Sequence, residues 1–460
     1  MATTSPPGVR DTGPPQRAIP GPRGNAFLGI MLEGMRDRLG LMTGMAEEFG
    51  DVVRFKLGPK ALYFLNHPDH AKHVLADNPG NYHKGIGLVH AKKVLGDGLL
   101  TSEGELWKRQ RRTINPAFHR ERLSRFAGSV VEEAKALTDR WRRLTEHGPA
   151  GPVDVVTEMT DMTVGVLGKT LLDTDLSAYE TIAHAFQVVQ DQAMFEMMTL
   201  STVPHAVPLP RHFRFRAAKR ELARVVEDIV SKQGNTTGDD VLSRLLADLA
   251  EVDDPEVRRR RLHDELVTIL LAGHETTAST LSWTWYELSR QPEIAERIRA
   301  EALAAFGDGL PQYEDLHRLP YTAMVIQETM RLHPAVWILP RRSLAADTVG
   351  GFEIPADADV LICPYTLHRH PDFWDEPDRF DPERFAPDKA AARHRYAYIP
   401  FGGGPRFCIG SNLGTMEAVF ATAMVARDFR LQLAPGREVV GDPLLILRVK
   451  DGLPMSIHRR

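Results

Sequence analysis

Residues 401–410 read FGGGPRFCIG and place a thiol among several glycines. The chain has only two cysteines, Cys363 and Cys408, too few for a disulfide framework or for the several soft ligands of a zinc site. A metal-binding thiolate needs amide donors aimed at its sulfur, and glycines let the backbone turn tightly enough to supply them. The segment therefore predicts a single metal-binding thiolate at Cys408. Cys363, inside the apolar run VLICPY, is predicted to be a small core side chain.

A helix is predicted over residues 412–426, directly after Cys408, and its N-terminal dipole favours a thiolate at that position. A single thiolate without a nearby His or Cys at ligand spacing suits the axial position of a haem iron, because the porphyrin supplies the four in-plane ligands. Arg406 can then pair with a haem propionate. The residues around Cys408 thus indicate haem as the cofactor.

The loop resembles the FxxGxRxCxG signature of the cytochrome P-450 superfamily. It matches the signature at five positions, Phe401, Gly404, Arg406, Cys408 and Gly410. The resemblance extends from about Pro20 to the C terminus. It implies a mainly α fold with a minor β-region, a triangular prism with haem b between a central helix and the helix after Cys408. It also implies that Cys408 is the axial iron ligand, and that Phe401, Gly402 and Gly410 belong to the haem-binding loop.

Hydrophobic periodicity predicts the elements that must position this loop. Residues 51–65 alternate apolar side chains around a Gly-Pro turn, which is typical of a β-hairpin. Residues 105–317 are predicted to be mostly helical, with the longest helix over 261–290. Residues 1–24 hold six prolines and four glycines, which predicts a flexible tail before a single catalytic domain at 25–460.

The predicted central helix contains the segment LLAGHETTAST. Cleavage of dioxygen consumes protons, and an acid beside an alcohol can deliver them through a Thr–water–Glu relay. The segment resembles the family motif AGx(D/E)T(T/S), which implies Glu275 and Thr276 as catalytic residues. His274, between the motif's small residues and its acid, is predicted to be a helix-facing side chain and not an iron ligand.

Charged residues elsewhere in the chain extend the resemblance. Glu328 and Arg331 in ETMR share one helix face, which by itself is compatible with a weak surface pair. With Arg384 in PERF, the resemblance implies a buried Glu-Arg-Arg network behind the haem loop. Such a network is costly to break, because a buried charge is left unpaired.

Trp107 and Arg111 in WKRQR are four residues apart and can reach the same anionic group from one helix. They resemble the family's propionate-binding WxxxR, and Arg341 in LPRRS is the expected further propionate partner, ahead of Arg342. Positive side chains in the Trp107 region suit either an ordinary solvated face or a docking patch for an acidic redox protein: Lys108, Arg109, Arg112, Arg120 and Arg122.

The resemblance implies a haem-thiolate monooxygenase that inserts one oxygen atom of dioxygen into an apolar small molecule. No reductase domain is recognised, so electrons are expected from ferredoxin or flavodoxin with an NAD(P)H-dependent reductase. Residues 331–360 are similar to bacterial sesquiterpene oxidases of the albaflavenone and pentalenene pathways, which favours a terpenoid or macrocyclic secondary metabolite as substrate. The alternatives are a fatty-acid hydroxylase, a haem-thiolate isomerase or dehydratase, and a haem sensor or scaffold.

The substrate pocket is expected to be apolar, as its ligand would be. By their positions relative to the family motifs, the resemblance implies candidate pocket residues in three segments: Ile86, Leu88 and Val89, then Ala272 and Gly273, then Ala335 and Ile338.

Composition sets the remaining expectations. A 43% hydrophobic and 26% charged chain is typical of a globular protein, and a formal net charge of -4 gives no footprint for nucleic acid. No run approaches the roughly 20 apolar residues of a spanning helix, so no transmembrane anchor is expected. Two cysteines fit a reducing compartment, and we expect a cytoplasmic monomer.

Overall fold

The computed structural model describes residues 18–24, 30–176, 182–199, 203–204, 206–232 and 240–460. Helices dominate these residues, and short strands form a minor β-region. The predicted fold class is therefore confirmed.

The α-helices of the described residues are α1 Met31–Arg36, α2 Arg38–Phe49, α3 Pro68–Lys72, α4 Ile86–Leu95, α5 Gly104–Ile114, α6 Arg120–Leu144, α7 Val155–Leu167, α8 Ile182–Met198, α9 Pro210–Lys232, α10 Val241–Ala250, α11 Pro255–Arg290, α12 Pro292–Phe306, α13 Pro320–Leu332, α14 Pro364–Leu367, α15 Pro387–Ala392 and α16 Ser411–Asp428. The strands are β1 Val52–Leu57, β2 Lys60–Leu65, β3 Tyr82–Lys84, β4 Ala150–Asp154, β5 Leu339–Ser343, β6 Asp347–Val349, β7 Phe352–Ile354, β8 Asp359–Ile362, β9 Phe429–Leu433, β10 Gly441–Pro443, β11 Leu447–Val449 and β12 Pro454–Arg459.

Among the described residues, the largest sheet has five strands in the order β1-β2-β8-β5-β3. Strands β1 and β2 form the predicted antiparallel hairpin, with Gly58 in its turn at a φ of 58°. Strand β8 runs parallel to β2, and the other pairings are antiparallel. At the far edge, Lys84 of β3 lies opposite Arg341 of β5. The sheet thus brings together two cations that are far apart in sequence.

Helix α11 is the central helix. Its 36 residues span about 54 Å at about 1.5 Å per residue. It begins at Pro255, six residues before the predicted start, because the Asp254 side chain accepts from the backbone N–H groups of Glu256 and Val257. A Cβ atom at Gly273 would lie 2.5 Å from Cδ1 of Leu167, so this glycine allows α11 to pack closely on α7.

Residues 18–24 differ from the predicted flexible tail, because they lie against strand β1. The backbone N–H of Arg54 donates to the Pro20 carbonyl at 2.8 Å, and Ile19 packs on the core beneath the five-stranded sheet. A Cβ atom at Gly21 would overlap the Arg54 carbonyl oxygen. The packed chain therefore includes residues that we had assigned to the tail, and residues 1–17 lie outside the described residues.

Among the residues that the structure describes, no helix has both the length and the apolar composition that crossing a membrane requires.

Candidate active site

The cysteine loop closes on itself through backbone hydrogen bonds. The N–H of Cys408 donates to the Phe401 carbonyl at 3.0 Å. Gly402 and Gly404 have φ values of 72° and 63°, a region that residues with a Cβ atom rarely adopt. A Cβ atom at Gly404 would also overlap the carbonyl oxygen of Leu75. The glycines are therefore required by the path of the loop.

The thiol of Cys408 lies just before α16. Burial raises its pKa, while the backbone N–H groups of Gly410 and Ser411 and the charge of Arg111 act in the opposite direction. The surface of Cys408 that remains accessible faces an internal cavity, where it is surrounded by protein. These donors are the arrangement that a metal-bound thiolate needs, and a bound metal would itself deprotonate the thiol.

The cavity has a volume of about 470 Å³ and is lined mainly by apolar side chains. Cys408 and Thr276 both line it, although Cys408 lies on the loop before α16 and Thr276 lies on α11. Of the predicted pocket residues, six line it as well: Ile86, Leu88, Ala272, Gly273, Ala335 and Ile338.

Val89 is a correction to the predicted pocket. Its side chain is 41% exposed and does not line the cavity, whereas Ile86 and Leu88 of the same helix do. Helix α4 has one side on the cavity and one side at the surface, so a contiguous sequence segment cannot lie entirely within the pocket.

A cluster of cations forms one wall of the cavity. Lys84, Arg341 and Arg406 all line it, and Glu103 is the carboxylate that counters them. Burial lowers the pKa of Arg341 to about 10, and the charge of Arg406 acts in the same direction. Burial and the two arginines lower the pKa of Lys84 well below its usual range. This excess of buried positive charge is costly unless an anionic ligand balances it.

Trp107 contributes to the same wall through the face of its ring, which contacts Arg406. The guanidinium of Arg406 lies 3.9 Å from the centre of the Trp107 ring, a cation–π contact. Arg406 also donates to the Ser102 carbonyl at 3.0 Å and pairs with Glu103. Arg111 lines the cavity close enough to Cys408 for their charges to interact. The predicted propionate-binding residues thus surround one end of the cavity.

The structure distinguishes between the two adjacent arginines of LPRRS. Arg341 is buried and lines the cavity, whereas Arg342 forms an ion pair with Asp359 at 2.9 Å and does not line it. The preference for Arg341 is consistent with this placement.

These residues fit a haem. The cavity offers a thiol at one wall, and a cation cluster with too few carboxylates lies beside it. Two haem propionates would supply the missing negative charge, and Cys408 would supply the axial ligand. Phe401, Gly402 and Gly410 line the same space.

The predicted acid and alcohol lie differently with respect to the cavity. Thr276 lines it, and its hydroxyl donates to the Ala272 carbonyl at 3.0 Å, one turn back along α11. The carboxyl group of Glu275 instead accepts a hydrogen bond from Nε2 of Gln190 on α8. Burial raises the pKa of Glu275 to about 7. Glu275 can therefore gain and lose a proton near neutral pH.

His274 is buried on α11 and its Nδ1 hydrogen-bonds to the Leu270 carbonyl. Burial lowers its pKa to about 4, so the ring is neutral at pH 7. It does not line the cavity, which agrees with the prediction that it is not an iron ligand.

The ETMR and PERF residues meet in the interior. Arg331 donates to both carboxylate oxygens of Glu328, at 2.7 and 2.8 Å, and both side chains are 0% exposed. Nε of Arg384 lies 3.5 Å from Oε1 of Glu328. The remaining Arg331 donors bond the carbonyls of His368, Pro377 and Arg379. The network therefore ties α13 to the loop-rich segment before the cysteine loop.

Sequence reasoning missed Lys84 and Gln190. Lys84 lies two residues before the predicted pocket segment, but its role depends on the pairing of β3 with β5. Gln190 begins the polar run QDQ of α8, which predicts an exposed side chain, and the sequence carries no signal of its burial in the structure.

Comparisons with known proteins show the family of the chain. A sequence profile of the family described as Cytochrome P-450 matches residues 19–446. Cyclooctatin synthase of Streptomyces melanosporofaciens is 35% identical over 404 residues, covering 86% of each chain. Cyclooctat-9-en-7-ol 5-monooxygenase of the same organism is 33% identical, covering 84% of each chain.

Pentalenene oxygenase of Streptomyces avermitilis is 31% identical over 409 residues, which cover 88% of this chain and 89% of the relative. The family profile extends over the cysteine loop and α11. The chain therefore belongs to the cytochrome P-450 family, the haem-thiolate monooxygenases.

Proposed function

We propose that this monooxygenase hydroxylates an apolar terpenoid or macrocyclic secondary metabolite. The observation that carries the proposal is the apolar cavity whose wall contains both Cys408 and Thr276. One C–H group of the substrate, dioxygen, two electrons and two protons yield an alcohol and water. Two similar proteins, pentalenene oxygenase and cyclooctat-9-en-7-ol 5-monooxygenase, are named for the oxidation of pentalenene and cyclooctat-9-en-7-ol. These names support a terpenoid substrate for this chain.

The cofactor roles follow from the residues around the cavity. Bound haem supplies dioxygen activation, which electron donation from a thiolate ligand favours. Cys408 would hold the iron, and Arg111, Arg341 and Arg406 would hold the propionates together with the Nε1–H of Trp107. Lys84 joins this set by its position beside Arg341.

The proton-handling roles belong to α11. Thr276 presents its hydroxyl at the cavity wall, where it can bond a water molecule or the reacting oxygen. Glu275, with a pKa near 7, can pass protons toward that hydroxyl. Because Glu275 does not itself line the cavity, a water molecule between its carboxyl group and the Thr276 hydroxyl would complete the route.

Electrons are proposed to come from a ferredoxin or flavodoxin and its NAD(P)H-dependent reductase. The positive patch considered for docking is partly neutralised, because Lys108 pairs with Glu105 at 2.7 Å and Arg109 with Asp248 at 3.0 Å. Arg112 is exposed. A cytoplasmic location is part of the proposal and rests on the two unpaired cysteines.

The substrate class can be tested by titrating the ferric enzyme with a panel of terpenoids and a panel of fatty acids. We expect terpenoids to displace water from the iron and shift the Soret band, and the best of them to be hydroxylated in a reconstituted redox system. Shifts with fatty acids alone would replace the proposal with the fatty-acid hydroxylase. Product formed without external electrons would indicate an isomerase or dehydratase.

Replacing Arg341 with methionine is expected to weaken haem retention, because it removes a buried cation that faces the propionate end of the cavity. Loss of one charge-assisted hydrogen bond, about 1.5–3 kcal/mol, corresponds to roughly 10- to 100-fold faster haem loss. Haem transfer to apomyoglobin measures it. Arg342→Met is the matched control, and equal haem loss in the two variants would contradict the assignment of Arg341.

Replacing Thr276 with alanine is expected to leave haem binding intact but to divert electrons from product to hydrogen peroxide. The variant lacks the hydroxyl at the cavity wall, so no side chain at position 276 can direct protons to the reacting oxygen. We expect product per NAD(P)H to fall about 10-fold or more, within the range of general acid catalysis. Thr276→Ser keeps the hydroxyl and should retain most of the coupling. Unchanged coupling in Thr276→Ala would remove Thr276 from the relay.

A further inference from the structure

Gln190 and Glu275 form a contact between α8 and α11 at the edge of the cavity. Nε2 of Gln190 donates to Oε1 of Glu275. The Gln190 side chain is 0% exposed and borders the cavity. Helix α8 also places Met194 and Met197 on the cavity wall, so the contact joins two walls of the proposed substrate site.

Each partner in this contact keeps one buried oxygen without a hydrogen-bond partner among the described residues. These atoms are Oε1 of Gln190 and Oε2 of Glu275. An amide oxygen and a carboxylate oxygen are both acceptors, so an ionised Glu275 cannot satisfy either atom. One proton on Oε2 changes that oxygen into a donor, and the amide oxygen of Gln190 can accept from it. A single proton would therefore satisfy both orphan atoms.

We propose that Gln190 and protonated Glu275 form a reciprocal acid–amide pair that connects α8 to α11 and positions the Glu275 proton for the reaction. The inference rests on the proposed role of Glu275 as the acid of the relay. Gln190 acts through Glu275 and is a positioning residue. Loss of the proton leaves two acceptors facing each other, so the pair is weakened whenever Glu275 has delivered its proton.

The surrounding charges leave Glu275 free to hold this proton. Two groups favour the ionised carboxylate of Glu275: the Nε2–H of Gln190 and, more weakly, the charge of Arg448. Arg448 is already paired with Asp442 at 2.9 Å and approaches Asp191 at 3.9 Å. His274 on the same helix is neutral near pH 7 and bonded to the Leu270 carbonyl. Burial then dominates and raises the pKa of Glu275 to about 7.

The test is an infrared titration of the haem-loaded enzyme without substrate or reductant. A protonated carboxyl signal that titrates near pH 7 is expected in the wild type and should be absent in Glu275→Gln, in which the separate signal of buried Glu265, with a pKa raised to about 8, remains. In Gln190→Met, which has a similar volume and no amide, the midpoint should fall by about one pH unit. The protonated form loses two hydrogen bonds, whereas the ionised form loses one and is relieved of the repulsion between Oε2 of Glu275 and Oε1 of Gln190.

The direction of that shift separates two roles of Gln190. A donor that serves only the ionised carboxylate would give a higher midpoint when it is removed. A raised or unchanged midpoint in Gln190→Met therefore overturns the pair, as does the absence of a titrating band in the wild type. Gln192→Met is the matched control, because Gln192 is equally buried on α8 but bonds Glu196.

A second measurement covers the case in which Gln190→Met does not fold. Glutamine at position 275 mimics the protonated acid, so Glu275→Gln should keep the pair at every pH. Relative to that variant, the wild type should lose thermal stability as pH rises from about 4.5 to about 7 and then level off, because the unfolded chain releases its proton first.

Parallel pH profiles of the two proteins would overturn the pair. Neither measurement requires turnover, so a failure to oxidise terpenoids would reject the proposed function without affecting this result.

Discussion

Replacing Cys408 with serine is expected to abolish the carbon monoxide spectrum of a thiolate-ligated haem and to lower product formation by more than about 100-fold. Outer-shell changes around a metal typically cost 10- to 100-fold, and this change removes the side chain that we propose as the iron ligand itself. A serine hydroxyl loses its proton far less readily than a thiol, so it is a much weaker ligand for iron. Electron donation from the thiolate is what favours O–O cleavage. The measurement is the difference spectrum of the reduced protein with carbon monoxide, combined with product analysis.

The fold should tolerate this change. The Cys408 side chain faces the cavity and not a packed core, and the loop is held by the bond from its backbone N–H to the Phe401 carbonyl. Haem held by the cation cluster alone would then show the spectrum of a non-thiolate complex. The Ser variant should therefore remain folded while losing its chemistry.

Cys363 provides the matched control. It is fully buried, burial raises the pKa of its thiol to about 11, and its thiol donates to the Trp337 carbonyl at 3.1 Å. Cys363→Ser keeps a donor for that carbonyl and should leave the spectrum unchanged. A thiolate-type spectrum that survives in Cys408→Ser and disappears in Cys363→Ser would reverse the ligand assignment.

The parts of the site that were predictable from the sequence lie within single local elements. Cys408 and the glycines around it are consecutive, and Glu275 and Thr276 are neighbours on one helix. For such residues, spacing along the chain sets spacing in the structure. The same holds for the pair Glu328 and Arg331, one turn apart on α13.

The parts that were missed depend on contacts between distant segments. Lys84 reaches Arg341 only because β3 pairs with β5, and Gln190 reaches Glu275 only because α8 packs beside α11. Periodicity does not encode which element lies next to which. Val89 was misplaced for a related reason, since the sequence alone does not show which side of α4 faces the cavity.

The N-terminal boundary was misplaced because composition describes an isolated segment. Residues 18–24 lack the apolar side chains of a self-stabilising element, but they gain a backbone bond and packing on β1. A strand edge can order a segment that composition assigns to a tail.

Replacing Arg331 with methionine is expected to lower the free energy of unfolding by about 3–5 kcal/mol, because Glu328 would keep its buried carboxylate without the bidentate partner. Methionine fills similar space without charge, so lost packing contributes little. Three carbonyl groups also lose their Arg331 donors. The midpoint of urea unfolding, followed by circular dichroism, measures the effect, and Soret absorbance follows the accompanying loss of haem.

Arg379→Met is the control for a general effect of removing an arginine. Arg379 pairs with Glu376 at 2.8 Å, but their side chains are 61% and 68% exposed. Water screens such a pair, so its loss should change the free energy of unfolding by no more than about 0.5 kcal/mol. Equal destabilisation by the two variants would mean that burial of the Glu328–Arg331 pair does not increase its contribution to the free energy of unfolding.

The double variant Glu328→Gln/Arg331→Met tests the physical cause. If the cost of Arg331→Met is the uncompensated Glu328 charge, removal of that charge should recover part of the loss, and the double variant should be less destabilised than the sum of the single variants. The coupling expected for groups in one network is about 0.5–3 kcal/mol. Strict additivity would instead assign the effect to the bonds between Arg331 and the carbonyls of the segment before the cysteine loop. The loss of haem should then follow the loss of those bonds, because they hold α13 to the chain that leads to Cys408.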